Sequence, residues 1–124
     1  MRIVVITGSP HKNGTSALLA DKFIEGATEA GNEVFRFNTA FENVHPCIGC
    51  DSCACGKKPC VFNDGMTELY AALLKADMVV FVTPLYYHAM SAQIKMAIDR
   101  FHGIDHLLRG ANKKAMLIVS AASA

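Results

Sequence analysis

The stretch ITGSPHKNGTS, residues 6–16, decides how the chain is read. Before it, Ile3, Val4, Val5 and Ile6 form an unbroken apolar run, the signature of a strand buried on both faces. After it, ALLADKFIEGATEAG (17–31) has the look of a helix. A strand-to-helix loop this rich in Gly, Ser, Thr and Asn suits ligand binding, because backbone N–H groups and hydroxyls at a helix N-terminus can cradle an anion. The plain alternative is a turn ended by a helix cap at Thr15 or Ser16.

Familiar phosphate loops can be tested against these residues. A nucleotide P-loop requires four residues between its glycines and then Lys-Ser/Thr. Here Ser9-Pro10-His11-Lys12-Asn13 separates Gly8 from Gly14, one residue too many, and Thr15 stands where the lysine belongs. The dinucleotide fingerprint G-x-G-x-x-G fails because Ser9-Pro10 follows Gly8. No cysteine is present in the loop to serve as a phosphatase nucleophile. What remains is an anion site of Ser9, Thr15, Ser16 and backbone amides, with His11, Lys12 and Asn13 nearby.

Outward from this loop, strands and helices alternate. Gly31-Asn32 stops the first helix, and EVFRFN (33–38) reads as a second strand. Residues 40–63 have no periodicity and hold all five cysteines; a loop of that length in a compact domain is usually functional. Asp64 is placed to cap a helix over 65–77, with Met66, Leu69, Tyr70, Leu73 and Leu74 at helical spacing. MVVFVT (78–83) is a third buried strand, ending at Pro84-Leu85-Tyr86-Tyr87. A third helix is expected from about Ser91, with Ile94, Ala97, Ile98 and Phe101 on one face. Residues 103–112 connect it to a fourth strand, KAMLIVS (114–120). This alternation predicts a doubly wound parallel α/β sheet with right-handed crossovers. Ligands in such sheets sit beyond the carboxyl ends of the strands, so residues 8–16, 83–91 and 120–124 are expected to converge on one crevice.

The bulk composition narrows the function. The 124 residues suit a single domain; 52% are apolar, 19% charged, and the formal net charge is +1. That charge gives no footprint for nucleic acid or an anionic membrane. The N-terminal apolar run does not read as a signal peptide, and MVVFV is too short to span a bilayer. Five cysteines without an export signal point to reduced thiols in the cytoplasm.

Four of those cysteines have a pattern. Cys47, Cys50 and Cys53 follow C-x2-C-x2-C, and Cys60 comes after six more residues. Three thiols so spaced can wrap one centre and a fourth can close a four-thiolate shell. The two separated C-x2-C knuckles of a zinc ribbon are absent. Unmetallated or redox-active thiols, zinc, and an inert loop stay open beside a cluster. Cys55 falls outside the pattern as a possible substitute ligand, and Lys57 and Lys58 add positive charge nearby.

Taken together, GSPHKNGTS, PCIGCDSC, TPLYYHAMSAQIKMAIDR and LIVSAA resemble the flavodoxin-like NAD(P)H-dependent FMN reductases, and among them the iron–sulfur flavoproteins. The resemblance implies a flavodoxin-like strand order 2-1-3-4 and FMN as cofactor. It makes residues 9–16 the FMN-phosphate loop, sets Pro84, Leu85, Tyr86, Tyr87 and His88 against the isoalloxazine ring, and brings Ser120 into the third flavin loop. The tyrosines could pack on the ring or merely on the core edge, and His88 could stabilise reduced flavin or be a surface histidine. The resemblance further implies a [4Fe–4S] centre on Cys47, Cys50, Cys53 and Cys60, NAD(P)H as electron donor, and homodimers or higher homo-oligomers. The family's fifth strand and final helix lie beyond these residues, so the fourth strand is expected at a sheet edge. The leading expectation is an FMN-dependent oxidoreductase passing electrons to a small acceptor or carrier. An electron-transfer module without its own NAD(P)H activity, and a non-catalytic fragment, are the alternatives.

Overall fold

The computed structural model describes residues 1–53 and 60–122. Strand β1 (Arg2–Thr7) lies at the centre, parallel to β2 (Glu33–Asn38) on one side and β3 (Met78–Tyr86) on the other. Strand β5 (Lys114–Ser120) pairs parallel with β3, after the intervening two-residue β4 (Ala89–Met90), which folds back antiparallel on the end of β3. The main sheet therefore runs β2-β1-β3-β5, the order expected for its four long strands, with β4 as a hairpin attachment.

Side-chain alternation along β1 distributes the helices to two faces. Val4 and Ile6 join Phe37 in a core with Met66, Leu69 and Leu73 of α2 (Met66–Lys75) and Ile94 and Ala97 of α3 (Ala92–Asp99). Ile3 and Val5 join Val80 and Val82 on the other face, against Ala20 and the partly buried Phe23, Ile24 and Ala27 of α1 (Thr15–Glu29). Each fully buried aliphatic side chain contributes roughly 1.5–3 kcal/mol, so this two-sided burial of β1 is what holds the sheet centre in register.

Several elements differ from the sequence expectation. Leu74, expected on the buried face of α2, is exposed; the stripe closes with Leu73. Gly14 occupies the cap position of α1, so neither Thr15 nor Ser16 caps the helix. Asp64 does serve the start of α2, its Oδ1 accepting from the Met66 N–H at 3.0 Å, one residue ahead of the Gly65 cap position. The third strand does not stop at Pro84 but runs on to Tyr86, because Ser120 and then the β4 hairpin continue to pair with it. The connection over 103–112 holds the end of a 3-10 turn, Arg100–Ile104, and the short helix α4 (Asp105–Leu108). Among the described residues β5 pairs only with β3, and its Met116, Leu117 and Val119 are exposed.

Candidate functional site

Two sites emerge, one at the carboxyl ends of the strands and one beside the cysteine loop. The first is a cleft of about 440 Å³, lined by Ser9, His11, Gly14, Thr15, Ser16, Pro84, Leu85, Tyr86, Ser120, Ala121 and Ala122. Its volume lies within the range of roughly 300–1,000 Å³ typical of small-ligand sites. The three expected loops meet here; the last two residues of the tail, 123 and 124, lie outside the described residues.

The cleft floor is built by chain crossings that leave polar groups aimed at one region. Ser9 and Ser16 are buried. The Ser9 Oγ accepts from the His11 N–H at 3.1 Å, which turns the loop tightly after β1. The Ser16 and Ser120 hydroxyls are 2.7 Å apart, linking the start of α1 to the end of β5. No side chain caps α1, so its first-turn N–H groups keep the donor capacity that an anion can use. Across the cleft, Leu85 and Tyr86 supply a partly exposed apolar wall. A hydroxyl-and-amide end beside an apolar wall fits a flat aromatic cofactor that ends in a phosphate.

Not every candidate residue lines this cleft. Lys12 sits around the corner, its ammonium 5.4 Å from the centre of the Phe41 ring, in a neighbouring hollow shared with Thr7, Arg36 and Asn38. Asn13 is exposed on the loop and absent from the lining. Tyr87 and His88 form the two-residue turn between β3 and β4, both at positive φ (41° and 67°), with Tyr87 95% exposed and its ring edge-on to His88. Both therefore stand at the tip beyond the cleft wall. Non-glycine residues at positive φ are strained, and such strain gathers at functional loops.

A knot beneath the cleft was hidden in the sequence. Ser91, completely buried, donates its hydroxyl to the Gly8 carbonyl at 2.7 Å and accepts from the Ile94 N–H at 3.2 Å as the cap of α3. Its own N–H donates to Thr83 Oγ1 at 3.0 Å, while the Gly8 N–H donates to the Val82 carbonyl at 2.9 Å. One serine thus ties the ends of β1 and β3 to the start of α3. Gly8 is required by close approach: a Cβ there would stand 2.5 Å from Ser91 Oγ and 2.6 Å from Ile94 Cβ. A serine before an apolar helix face signals a cap, but nothing in the sequence signals its second partner.

The second site is a small cavity onto which Cys47, Cys50, Cys53 and Cys60 all open, with Phe62, Asp99, Arg100 and His102 among its other walls. Cys47 and Cys50 are exposed, Cys53 and Cys60 half-buried. Backbone N–H groups reach two sulfurs, Gly49 to Cys47 Sγ at 3.4 Å and Phe62 to Cys60 Sγ at 3.5 Å. Hydrogen bonds from the side chain and backbone of Ser52 hold Cys50 below an ordinary thiol, whereas burial pushes Cys53 up. Among the described residues, no three His, Cys, Asp or Glu side chains are gathered closely enough to hold a metal ion. The soft donors of a thiolate shell share a cavity without being drawn into that shell. Cys55, Lys57 and Lys58 lie outside the described residues.

Comparison with known proteins matches the family of NADPH-dependent FMN reductases over residues 1–124. The chain belongs to that family. It is similar to an iron–sulfur flavoprotein of Methanocaldococcus jannaschii, 33% identical over 81% of this chain and 51% of the relative. An iron–sulfur flavoprotein of Archaeoglobus fulgidus is 39% identical over 79% of this chain and 49% of its own. The chain thus spans about half the length of these relatives. An NAD(P)H:quinone oxidoreductase from Methanothermobacter marburgensis shares the fold, with a TM-score of 0.78 at 21% identity over 98% of this chain and 65% of that one. FMN is the cofactor of the family, and the flavodoxin-like sheet is the fold it uses. Among the described residues no helix is long and apolar enough to cross a membrane.

Proposed function

We propose that residues 1–124 form one FMN-binding domain of a cytoplasmic oxidoreductase that takes electrons from NAD(P)H and passes them to a small acceptor or carrier. One observation carries this reading: the uncapped start of α1, buried Ser9 and Ser16, and the Leu85–Tyr86 wall all face a single cleft. Ser9, Thr15, Ser16 and the first-turn amides of α1 would hold the phosphate, with His11 at the rim and Lys12 and Asn13 adding donors from outside. Pro84, Leu85 and Tyr86 would flank the ring, Tyr87 and His88 would cover its mouth, and Ser120 would fix the tail against Ser16. FMN, when bound, supplies hydride acceptance and one- or two-electron release. The chain's own residues bind and orient it, and Leu85 and Tyr86 exclude water from one side of the cleft.

Four thiols opening on one cavity favour a second reading that can coexist with the first: a [4Fe–4S] centre on Cys47, Cys50, Cys53 and Cys60. The names of the M. jannaschii and A. fulgidus relatives support it. In that form the protein would relay electrons between the two sites, with or without NAD(P)H activity of its own. Homodimers or larger homo-oligomers belong to the same proposal.

Anaerobic mixing of FMN-loaded protein with NADPH or NADH tests the reductase reading. Bleaching of the flavin absorbance near 450 nm by either nucleotide within seconds is the expected result (about one hydride per flavin). Reduction by dithionite alone would leave only the relay reading, and a chain that takes up no flavin would leave neither. Iron analysis after anaerobic reconstitution separates the cluster from bare thiols, with loss of iron in Cys50→Ser expected.

A further inference from the structure

The cysteine loop is held at both ends by one buried ion pair that the flavin cleft does not use. Arg100, 2% exposed, follows α3 and lies inside the protein rather than on its surface. Its Nη1 donates to Asp64 Oδ2 at 2.7 Å and its Nη2 to Asp64 Oδ1 at 3.1 Å, a two-pronged pair. The same guanidinium donates to the carbonyl of His45 at 2.8 Å, just before Cys47, and to that of Phe62 at 3.4 Å, just after Cys60. Asp64 returns the hold by accepting from the His45 N–H at 2.9 Å. Around this pair the His45 and Phe62 rings stack with centroids 3.9 Å apart, and Phe62 also lies under the guanidinium at 5.4 Å. Tyr70 Oη, from α2, donates to the Arg100 carbonyl at 2.6 Å and fixes the arginine's own backbone.

These contacts close the cysteine segment into a loop whose two stems are pinned within one guanidinium's reach. Arg100 itself lines the cavity onto which the four thiols open, and its Nε is buried without a partner among the described residues. A buried ion pair is not favoured over apolar packing for stability alone, because desolvating both charges offsets most of their attraction. Its value is geometric: a planar fork satisfies two carboxylate oxygens and two carbonyls at once, which a lysine cannot do.

We propose that Asp64 and Arg100 form a clamp that seats the half-buried thiols of the cysteine loop, Arg100 acting as a positioning residue for Cys53 and Cys60. This role goes beyond the flavin reading and requires no metal. The clamp keeps Cys53 and Cys60 against the cavity wall while Cys47 and Cys50 face solvent. Releasing either stem frees the half-buried pair.

The test is pulse alkylation of the metal-free chain with iodoacetamide, read cysteine by cysteine by mass spectrometry. It is run on wild type, Arg100→Lys and Asp64→Asn, each checked for native circular dichroism. Wild type is expected to label Cys53 and Cys60 well behind Cys47 and Cys50. Both variants are expected to bring the labelling rates of Cys53 and Cys60 at least about tenfold closer to those of the exposed pair, while the rates of Cys47 and Cys50 and the affinity for FMN of the cleft, which shares no lining residue with the cysteine cavity, stay within about twofold. Unchanged labelling in a natively folded variant would overturn the clamp. Amide hydrogen exchange on wild type adds a second readout that needs no substitution. The His45 N–H, bonded to Asp64, should be protected to the level of α2, and exchange as fast as that of the exposed Ile48 would overturn the proposal even if both variants fail to fold.

Discussion

Replacing Ser91 with alanine removes a hydroxyl that serves two partners in a completely buried position. Loss of the α3 cap, where the Ile94 N–H bonds the hydroxyl at 3.2 Å, costs about 1 kcal/mol. The Gly8 carbonyl, which accepts from that hydroxyl at 2.7 Å, loses its side-chain partner beneath the cleft, a further cost of about 1–3 kcal/mol. The expected destabilisation is therefore about 2–4 kcal/mol, with the Ser91 N–H bond to Thr83 left intact. Urea unfolding followed by circular dichroism measures it, as a midpoint lowered by roughly 1 M or more at unchanged slope. Gly8→Ala attacks the same knot from the other side, because its Cβ would crowd both Ser91 Oγ and Ile94 Cβ. The double variant relieves the first of those contacts but not the second, so its cost should fall short of the sum of the two singles. A Ser91→Ala loss below about 0.5 kcal/mol, or strict additivity with Gly8→Ala, would refute the claim that one serine ties the three elements together.

The remaining predictions concern charge and strain. Burial pushes the Asp64 carboxyl up, but hydrogen bonds from Arg100 and from the His45 and Met66 N–H groups more than reverse this and hold it below the ordinary value of 3.8. A lowered folded-state value means that the stabilisation is complete above 3.8 and is lost as pH falls through the lower folded value. Wild-type unfolding midpoints should therefore drop on acidification below about pH 4, whereas Asp64→Asn, already weakened by about 3–5 kcal/mol through the stranded Arg100, should lack this component. His88→Gly should stabilise the chain by about 1 kcal/mol in thermal melts, because glycine adopts the turn's positive φ without strain.

How much of the fold is legible in the sequence depends on which forces act locally. The apolar run Ile3–Ile6, the helical spacing of Met66, Leu69 and Leu73, and the three loops at the strand ends are legible because burial imposes periodicity. Leu74 escapes for the same reason, since spacing defines the edge of a helical stripe only to within a residue. The β4 hairpin is not legible: its turn is Tyr87-His88, which lacks the Asn-Gly or Asp-Gly pair that marks a two-residue hairpin turn. Arg100 gives no signal at all. An arginine near a helix end is ordinarily solvated, and only the fold shows that its partner is Asp64, far back along the chain. The cap at Gly14 is masked by the neighbouring hydroxyls of Thr15 and Ser16, neither of which makes a cap bond, the Ser16 hydroxyl lying instead 2.7 Å from that of Ser120.

That the cleft between the start of α1 and the end of β3 holds FMN by its phosphate can be decided by parallel fluorescence titrations with FMN and riboflavin. One FMN per chain is expected, bound at least about tenfold more tightly than riboflavin, with Thr15→Ala/Ser16→Ala giving up about 1–3 kcal/mol toward FMN and little toward riboflavin. Equal affinity for the two flavins, or binding of neither, would show that the cleft does not recognise the phosphate.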